Sequence, residues 1–337
     1  MKKLILGVMS FLLLSVVGSV CVAGSSVDKA FNDNIRAGDG KVGISATDIC
    51  IDIAADLESD LHGINKFGRA PTGIQTTATD IWDRATQIPL QPVWLAPASA
   101  APLEIASSDA GDTSAGAGAR KLRIFGLIDW ELPEISEDIV MNGTTSVTTT
   151  QSYVVCYRMQ VIEKGATNSN IGTITAKVQG EGTVTAQIND SEGQTQMAIY
   201  AISSLDKAYV QNYYASVNKA QGAAASVNFS IVVNLEPASE LTNFVKKNTI
   251  GAQSTGSSHF SHNFCPYMRV DGPAIIKMQG VASANDVEGS AGFDIVRWTD
   301  TSGFDAILAS NKRDRANLRI LTTSDGRVIR TTQDIPN

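Results

Sequence analysis

The sequence has few charged residues, few histidines and no recognisable catalytic motif. Charged residues make up 18% of the 337 residues, and only three histidines occur. An average soluble domain has roughly 25% charged residues. No nucleophile elbow, zinc-binding helix, phosphate loop or dinucleotide fingerprint is found. We therefore expect a protein that is not an enzyme and that uses no cofactor and no bound metal. Low charge also suits assembly, because fewer charges need desolvating at a contact.

The charge balance argues against nucleic acid as a partner. The formal net charge is −7 at pH 7. Loss of Lys2 and Lys3 from the 27 basic residues would leave 25 against 34 acidic ones, a net charge of −9. An acidic chain has no general attraction for phosphate backbones or anionic lipids. The basic cluster at 312–319 is interrupted by Asp314, and we interpret it as a solvated face.

The first 23 residues have the pattern of a secretory signal peptide. Lys2 and Lys3 precede the apolar run Leu4–Val17, and small residues follow up to Ala23. This order predicts cleavage after Ala23 and a mature chain in the periplasm, at the cell surface or outside the cell. Two alternatives stay open. The stretch Leu4–Ala23 is about long enough to span a bilayer as an uncleaved anchor, and Cys21 could instead carry a lipid.

Four segments follow from composition and periodicity. After the leader at 1–23, residues 24–90 are predicted to form an N-terminal arm with short helices. The first helix is placed at Ser45–Leu61, where apolar residues recur every four positions. Residues 91–120 are rich in Ala, Pro, Ser and Gly, a composition typical of a linker. Residues 121–337 are predicted to form a β-rich domain.

The β-rich segment carries the fold prediction. Ser146–Glu163 alternates over the longest stretch and predicts one long strand. A repeated heptapeptide at 172–178 and 182–188 predicts a hairpin, and Asp325-Gly326 predicts another. Leu205–Ala220 has apolar residues four apart and predicts a helix. The expected fold is mainly β, sandwich-like and antiparallel, with a small helical N-terminal region, α+β overall.

Cleavage of the leader would leave three cysteines, Cys50, Cys156 and Cys265. An odd number in an oxidising compartment leaves one thiol unpaired or paired between chains. Cys156 and Cys265 both lie in strand-like segments of the β-rich domain. We predict a disulfide between these two, which would close a loop of about a hundred residues.

Two short motifs have the residue types of a catalytic or metal site. His259, His262 and Cys265 are spaced three apart and contain zinc ligands, but no fourth ligand lies nearby. Ser204 and Lys207 match Ser-x-x-Lys, as does a second pair at 216–219. The accompanying motifs of serine acyl-enzymes are absent. We interpret the first set as loop residues beside a disulfide cysteine and the second as a chance match.

The leader, the low charge and the hydroxyl-rich strands together predict an exported, non-enzymatic structural or assembly component of the bacterial envelope or cell surface. A secretion or conjugation apparatus would be a natural setting. The expected partners are other envelope or surface proteins, including further copies of the chain, with membrane contact only through an uncleaved leader. A surface binding module or adhesin for glycan or host protein is the alternative. A periplasmic hydrolase is the third hypothesis.

Overall fold

A computed structural model describes residues 53–54, 61–84, 91–219, 225–253, 258–299, 319–322 and 328–331. All eighteen elements within these ranges are β-strands, and every strand pair is antiparallel. The mainly antiparallel β prediction is therefore confirmed. Of the predicted helix Ser45–Leu61, residues 53–54 are helical and Leu61 begins a strand, while the others lie outside the described residues. The described part of the predicted arm at 61–84 contains the strands Leu61–Ile74 and Thr79–Asp80 in place of short helices, so the helical N-terminal region is not confirmed.

The first sandwich, as we call it, is built from seven strands that are close in sequence. They are β3 (Ala101–Ser107), β4 (Ala119–Leu127), β5 (Ile135–Val140), β6 (Val147–Tyr153), β7 (Val155–Lys164), β8 (Ile174–Val178) and β9 (Val184–Ile188). One sheet has the order β6-β3-β8-β9 and the other β5-β4-β7. The buried faces alternate along the strands, as in β4, where Leu122 and Ile124 have no exposed area.

The second sandwich combines strands from both ends of the chain. They are β1 (Leu61–Ile74), β2 (Thr79–Asp80), β10 (Ile199–Ile202), β11 (Asp206–Lys219), β12 (Ser226–Asn234), β13 (Val245–Gln253), β14 (Ser258–Asp271), β15 (Ala274–Ala282) and β16 (Val287–Thr299). One sheet has the order β1-β16-β11-β14 and the other β10-β15-β12-β13, with β2 beside β15. Strands β17 (Arg319–Thr322) and β18 (Val328–Thr331) form a separate pair.

Both predicted hairpins are present. Strands β8 and β9 pair through Ala176 and Ala186, two equivalent positions of the repeated heptapeptide. Strands β17 and β18 pair on either side of Asp325-Gly326. A short loop holds its two flanking strands together, so local sequence is enough to specify such a pair.

Residues predicted as linker contain buried strands. Strand β3 and the start of β4 lie within 91–120, and Leu103 and Ile105 are fully or almost fully buried. The glycines between these strands allow close approaches. A Cβ atom on Gly116 would lie 2.0 Å from the Gly111 carbonyl oxygen. Small residues here serve tight packing, which composition alone does not distinguish from a flexible linker.

The predicted long strand at Ser146–Glu163 is two strands. Strand β6 ends at Tyr153 and pairs with β3, whereas β7 begins at Val155 and pairs with β4 in the other sheet. The chain bends at Val154, whose N–H donates to the Leu127 carbonyl. Alternation continued across the bend, because the inner faces of both sheets point into one core.

The helix predicted at Leu205–Ala220 is wrong, since this segment forms strand β11. A spacing of four residues fits period 3.6, but it is also two repeats of period two. A bulge between Val210 and Asn212 changes which parity faces inward. Ala208 and Val210 are buried before it, and Tyr213, Ala215 and Val217 after it. Aromatic and β-branched residues in the segment also favour a strand.

Candidate functional site

Strands β13 and β14 are the end strands of the two sheets of the second sandwich. They contact one another without forming a ladder. Each therefore offers a row of main-chain N–H and C=O groups that no other described strand pairs. Such edges are templates for the addition of another strand.

Residues 258–268 of β14, which we call the open edge, contain no Asp, Glu, Lys or Arg. Phe260 is 44% exposed and Tyr267 is 54% exposed. Natural edge strands are commonly protected by charged side chains, especially lysine. The open edge lacks charged side chains over eleven residues, and its edge protection is confined to Pro266 and the irregular register between Asn263 and Met268.

The inner face of the open edge carries a cluster of rings. The ring centroids of His262 and Phe264 lie 5.0 Å apart, and those of Tyr213 on β11 and His262 lie 5.7 Å apart. Tyr213 is buried, whereas His262 and Phe264 are half-buried. Edge-to-face ring contacts of this kind hold side chains in one arrangement. The open edge is thus a firmly packed strand.

Strand β13 contrasts with the open edge. Lys246 and Lys247 are exposed in its first half, in a run that ends at Asn248. Lysine on an edge opposes the approach of another strand, because pairing would desolvate its charge. Of the two neighbouring edges, β14 is therefore the one suited to pairing with another chain.

His259, His262 and Cys265, which were interpreted as loop residues and not as a zinc site, lie in strand β14. Register places His259 opposite Ser216 and His262 opposite Tyr213, so the two histidines lie on opposite faces of β14. Within the described ranges, no group of three or more His, Cys, Asp or Glu side chains is arranged to hold a metal ion.

The two cysteines predicted to form a disulfide are both free thiols in the structure. Cys156 is fully buried in β7 of the first sandwich, and its burial raises the pKa of the thiol to about 12. Cys265 is exposed on β14 of the second sandwich. The structure therefore does not support the bond, because the two residues belong to different sandwiches and to opposite environments.

Ser204 and the tryptophans have structural contacts. The Ser204 hydroxyl donates to Glu131 Oε2 at 2.6 Å, and Lys207 lies 4.5 Å from the centroid of the Trp298 ring. The other three tryptophans, at positions 82, 94 and 130, are buried. Side chains within a core cannot form an exposed aromatic platform for a sugar.

A polar network joins the two sandwiches. Glu134, just before β5, accepts hydrogen bonds from Arg297 Nη1 at 2.9 Å and from the Tyr200 hydroxyl at 3.0 Å. Burial raises the pKa of Tyr200 well above its usual value, so the phenol stays neutral and donates. The network ties the first sandwich to β10 and β16 of the second.

A cavity of about 240 Å³ lies at the same junction. It is lined by Asn65, Lys66, Phe67, Arg158, Gln194 and Thr195. Lys66 on β1 is only 6% exposed, and its Nζ donates to the Tyr157 carbonyl at 2.6 Å. Burial, followed by the nearby Arg158 guanidinium, lowers the pKa of Lys66 to about 7. The cavity therefore contains two basic groups.

Lys66 was not identified from the sequence, although a signal for it exists. Lys66, Gly68 and Ala70 alternate and are all buried on one face of β1. A lysine in the buried row of a strand is rare unless it is paired or has a function. The predicted arm with short helices includes 61–74, and the alternation of a strand has no meaning in a helix. Arg158 lies in a segment recognised as strand, but nothing in the sequence connects it with Lys66.

No protein-family model matches the chain, and no curated protein matches it in sequence. Two solved structures of infectious bursal disease virus are similar to it. The Gt strain structure has 10% identity and a TM-score of 0.20, with 72% of each chain covered. The Gx strain structure has 9% identity and a TM-score of 0.18, with 70% of each chain covered. These values are too low to support any conclusion about fold or function.

None of the helical segments in the described part of the chain is long and apolar enough to cross a membrane.

Proposed function

We propose that the protein is an exported, non-enzymatic structural or assembly component of the bacterial envelope or cell surface, whose copies join through the open edge. The observation that carries this proposal is the uncharged, exposed end strand at 258–268. The leader pattern of the first 23 residues supports export. A subunit of a secretion or conjugation apparatus is the setting that we favour.

A second copy of the chain is the partner that fits the open edge. Two copies related by a two-fold axis would place their β14 strands antiparallel, which is the pairing used throughout both sandwiches. The chain has a net charge of −7, so contacts between most surfaces bring acidic groups together. A contact along 258–268 avoids this repulsion because it contains no formal charge on either side.

The ladder would have two parts. Strand β14 has fourteen residues, but its register with β11 shifts between Asn263 and Met268, and Pro266 in that interval has no N–H to donate. Main-chain pairing with a second copy would therefore run along 258–263 and resume at Met268. Phe260 and Tyr267 would lose exposed apolar area at such a contact.

The experiment uses mature protein isolated from the envelope fraction, whose first residue is expected to be Gly24. Light scattering and cross-linking should show dimers or larger assemblies. Replacing Ser261 and Asn263 together by lysine brings four like charges to the paired edges of the two copies, and we expect the dimer dissociation constant to rise at least tenfold. Thr144→Lys, in an exposed turn of the first sandwich, is the matched control and should assemble normally.

Three results would contradict the proposal. One is a monomer at all concentrations, and slowly exchanging amides in β14 would then show that another part of the same chain covers the edge. Another is a stable complex with a different protein that survives the lysine substitutions. The third is equal assembly of both variants, which would show that copies join through another surface.

A further inference from the structure

The cavity between the sandwiches contains basic groups without acidic partners. In the described part of the chain, no ion pair involves Lys66 or Arg158, and no acidic side chain lines the cavity. Two other buried basic groups are paired, whereas a third, Arg84, has no ion pair among the described residues. Lys277 lies 2.7 Å from Asp80, and Arg297 lies 2.9 Å from Glu134. Charges that are removed from water normally require such a partner.

Several side chains around the cavity can donate more hydrogen bonds than they make. Lys66 makes one bond, to the Tyr157 carbonyl, out of the three that an ammonium can donate. Arg158 donates through Nη2 to Gln194 Oε1 at 3.2 Å, which leaves its other N–H groups. The Thr195 hydroxyl oxygen accepts from the Met159 N–H at 3.2 Å and keeps its own proton to donate. These donors suit a ligand rich in acceptors.

We infer that this cavity binds a small oxyanion, a carboxylate or phosphate group, between the Arg158 guanidinium and the Lys66 ammonium. A planar guanidinium bonds such groups with two parallel N–H donors. The volume of about 240 Å³ is smaller than the roughly 300–1,000 Å³ of pockets for drug-sized ligands, so it suits an ion or a small metabolite.

The site is independent of the proposed assembly surface. Lys66 lies on β1, whereas the open edge is β14 at the other end of the same sheet. The assembly experiment and the anion experiment can therefore succeed or fail separately.

Anion binding would be coupled to a proton at Lys66. The groups that act on it are Arg158 and Cys156 from β7, and Glu134 from the loop before β5. Its pKa of about 7 means that the ammonium form is lost as the pH rises through neutrality. An anion stabilises the ammonium form, so affinity should be highest at acidic pH and should fall as the pH increases.

The test is calorimetric titration of the full mature chain with sulfate, whose charge is constant over this pH range, and separately with acetate. The first probe represents tetrahedral phosphate-like groups and the second represents carboxylates. We expect one saturable site, with affinity falling roughly tenfold between about pH 6.5 and about pH 8.5. Arg158→Gln should weaken binding at least tenfold, and Lys66→Met should remove the pH dependence.

Arg123→Gln is the matched control, because Arg123 on β4 is paired with Asp138 on an exposed surface. It removes one positive charge and should leave binding unchanged. Absence of saturable binding of either probe, or equal weakening by Arg158→Gln and Arg123→Gln, would overturn the inference. If Arg158→Gln does not fold, the Lys66→Met variant tests the inference. Anion affinity and pH dependence equal to those of the unsubstituted protein would show that the anion does not bind beside Lys66.

Discussion

Asp112 in the first sandwich and Asp80, one of the buried aspartates of the second, have their carboxylates satisfied differently. In the first sandwich, Asp112 Oδ1 accepts from the Ala119 and Ile171 N–H groups. Asp112 Oδ2 accepts from the Ser107 hydroxyl and the Gly172 N–H, so no cation is involved. In the second sandwich, Asp80 accepts mainly from side chains, namely the Lys277 ammonium at 2.7 Å and the Gln279 amide at 2.8 Å.

This difference determines what each sandwich can tolerate. Three of the four donors around Asp112 are main-chain N–H groups, which substitution cannot remove, and they need a carboxylate-like acceptor at this position. A lysine and an aspartate can be removed together, and a buried ion pair is often replaceable without loss. At these sites the stability of the first sandwich is therefore expected to require Asp112 itself. The stability of the second is expected to require that Asp80 and Lys277 are both present or both replaced.

The largest effect is expected for Asp112→Asn. The amide has one acceptor oxygen, and its NH₂ group would face two N–H or O–H donors. We expect a loss of about 4 kcal/mol in the free energy of unfolding, because two buried donors lose their acceptor. Urea denaturation measures this change. Asp190→Asn, at an exposed turn position, is the control and should change stability by less than about 0.5 kcal/mol. A loss at Asp112 as small as in the control would contradict the assigned role.

Asp80→Asn should have a somewhat smaller effect. The variant keeps an acceptor for Gln279 but leaves the Lys277 ammonium buried without its counter-charge. We expect a loss of about 3 kcal/mol, limited by the ability of the lysine to give up its proton. The double variant Asp80→Asn with Lys277→Met should recover part of this loss in the same measurement, because the Val93 N–H, which donates to Asp80 Oδ2 at 2.9 Å, still lacks its acceptor. A double variant no more stable than Asp80→Asn would show that the two sandwiches do not differ in this way.

Gly118→Ala is the smallest change that tests the Asp112 site. A Cβ atom at position 118 would lie 2.0 Å from Asp112 Oδ1, and the four hydrogen bonds prevent the carboxylate from moving away. We expect a loss of about 2 kcal/mol from overpacking. Gly182→Ala is the control, because no atom lies within 4 Å of a Cβ there. Equal thermal stability of the two variants would mean that the loop at 111–118 rearranges freely.

The elements that could be predicted from the sequence are those whose structure depends on neighbouring residues. The hairpin of β8 and β9 needs only a short loop and two alternating segments, and both are visible in the sequence. The errors occurred where distant residues decide. Strand β11 has ladder partners about fifty and eighty residues further along the chain, and its bulge disguised the period. The linker composition of 91–120 reflects close packing around Asp112, whose partners extend to residue 172.

The candidate sites could be predicted from the sequence to a smaller extent than the strands, because they depend on the tertiary structure. The sequence by itself determined a low-charge, antiparallel β protein, because alternation and turn residues act locally and persist in any arrangement of the strands. Tertiary structure decided that β14 ends a sheet, that Cys156 and Cys265 belong to different sandwiches, and that Lys66 meets Arg158. Edge position, burial and pKa all depend on which distant segments pack together, and the sequence pattern of one segment does not contain that information.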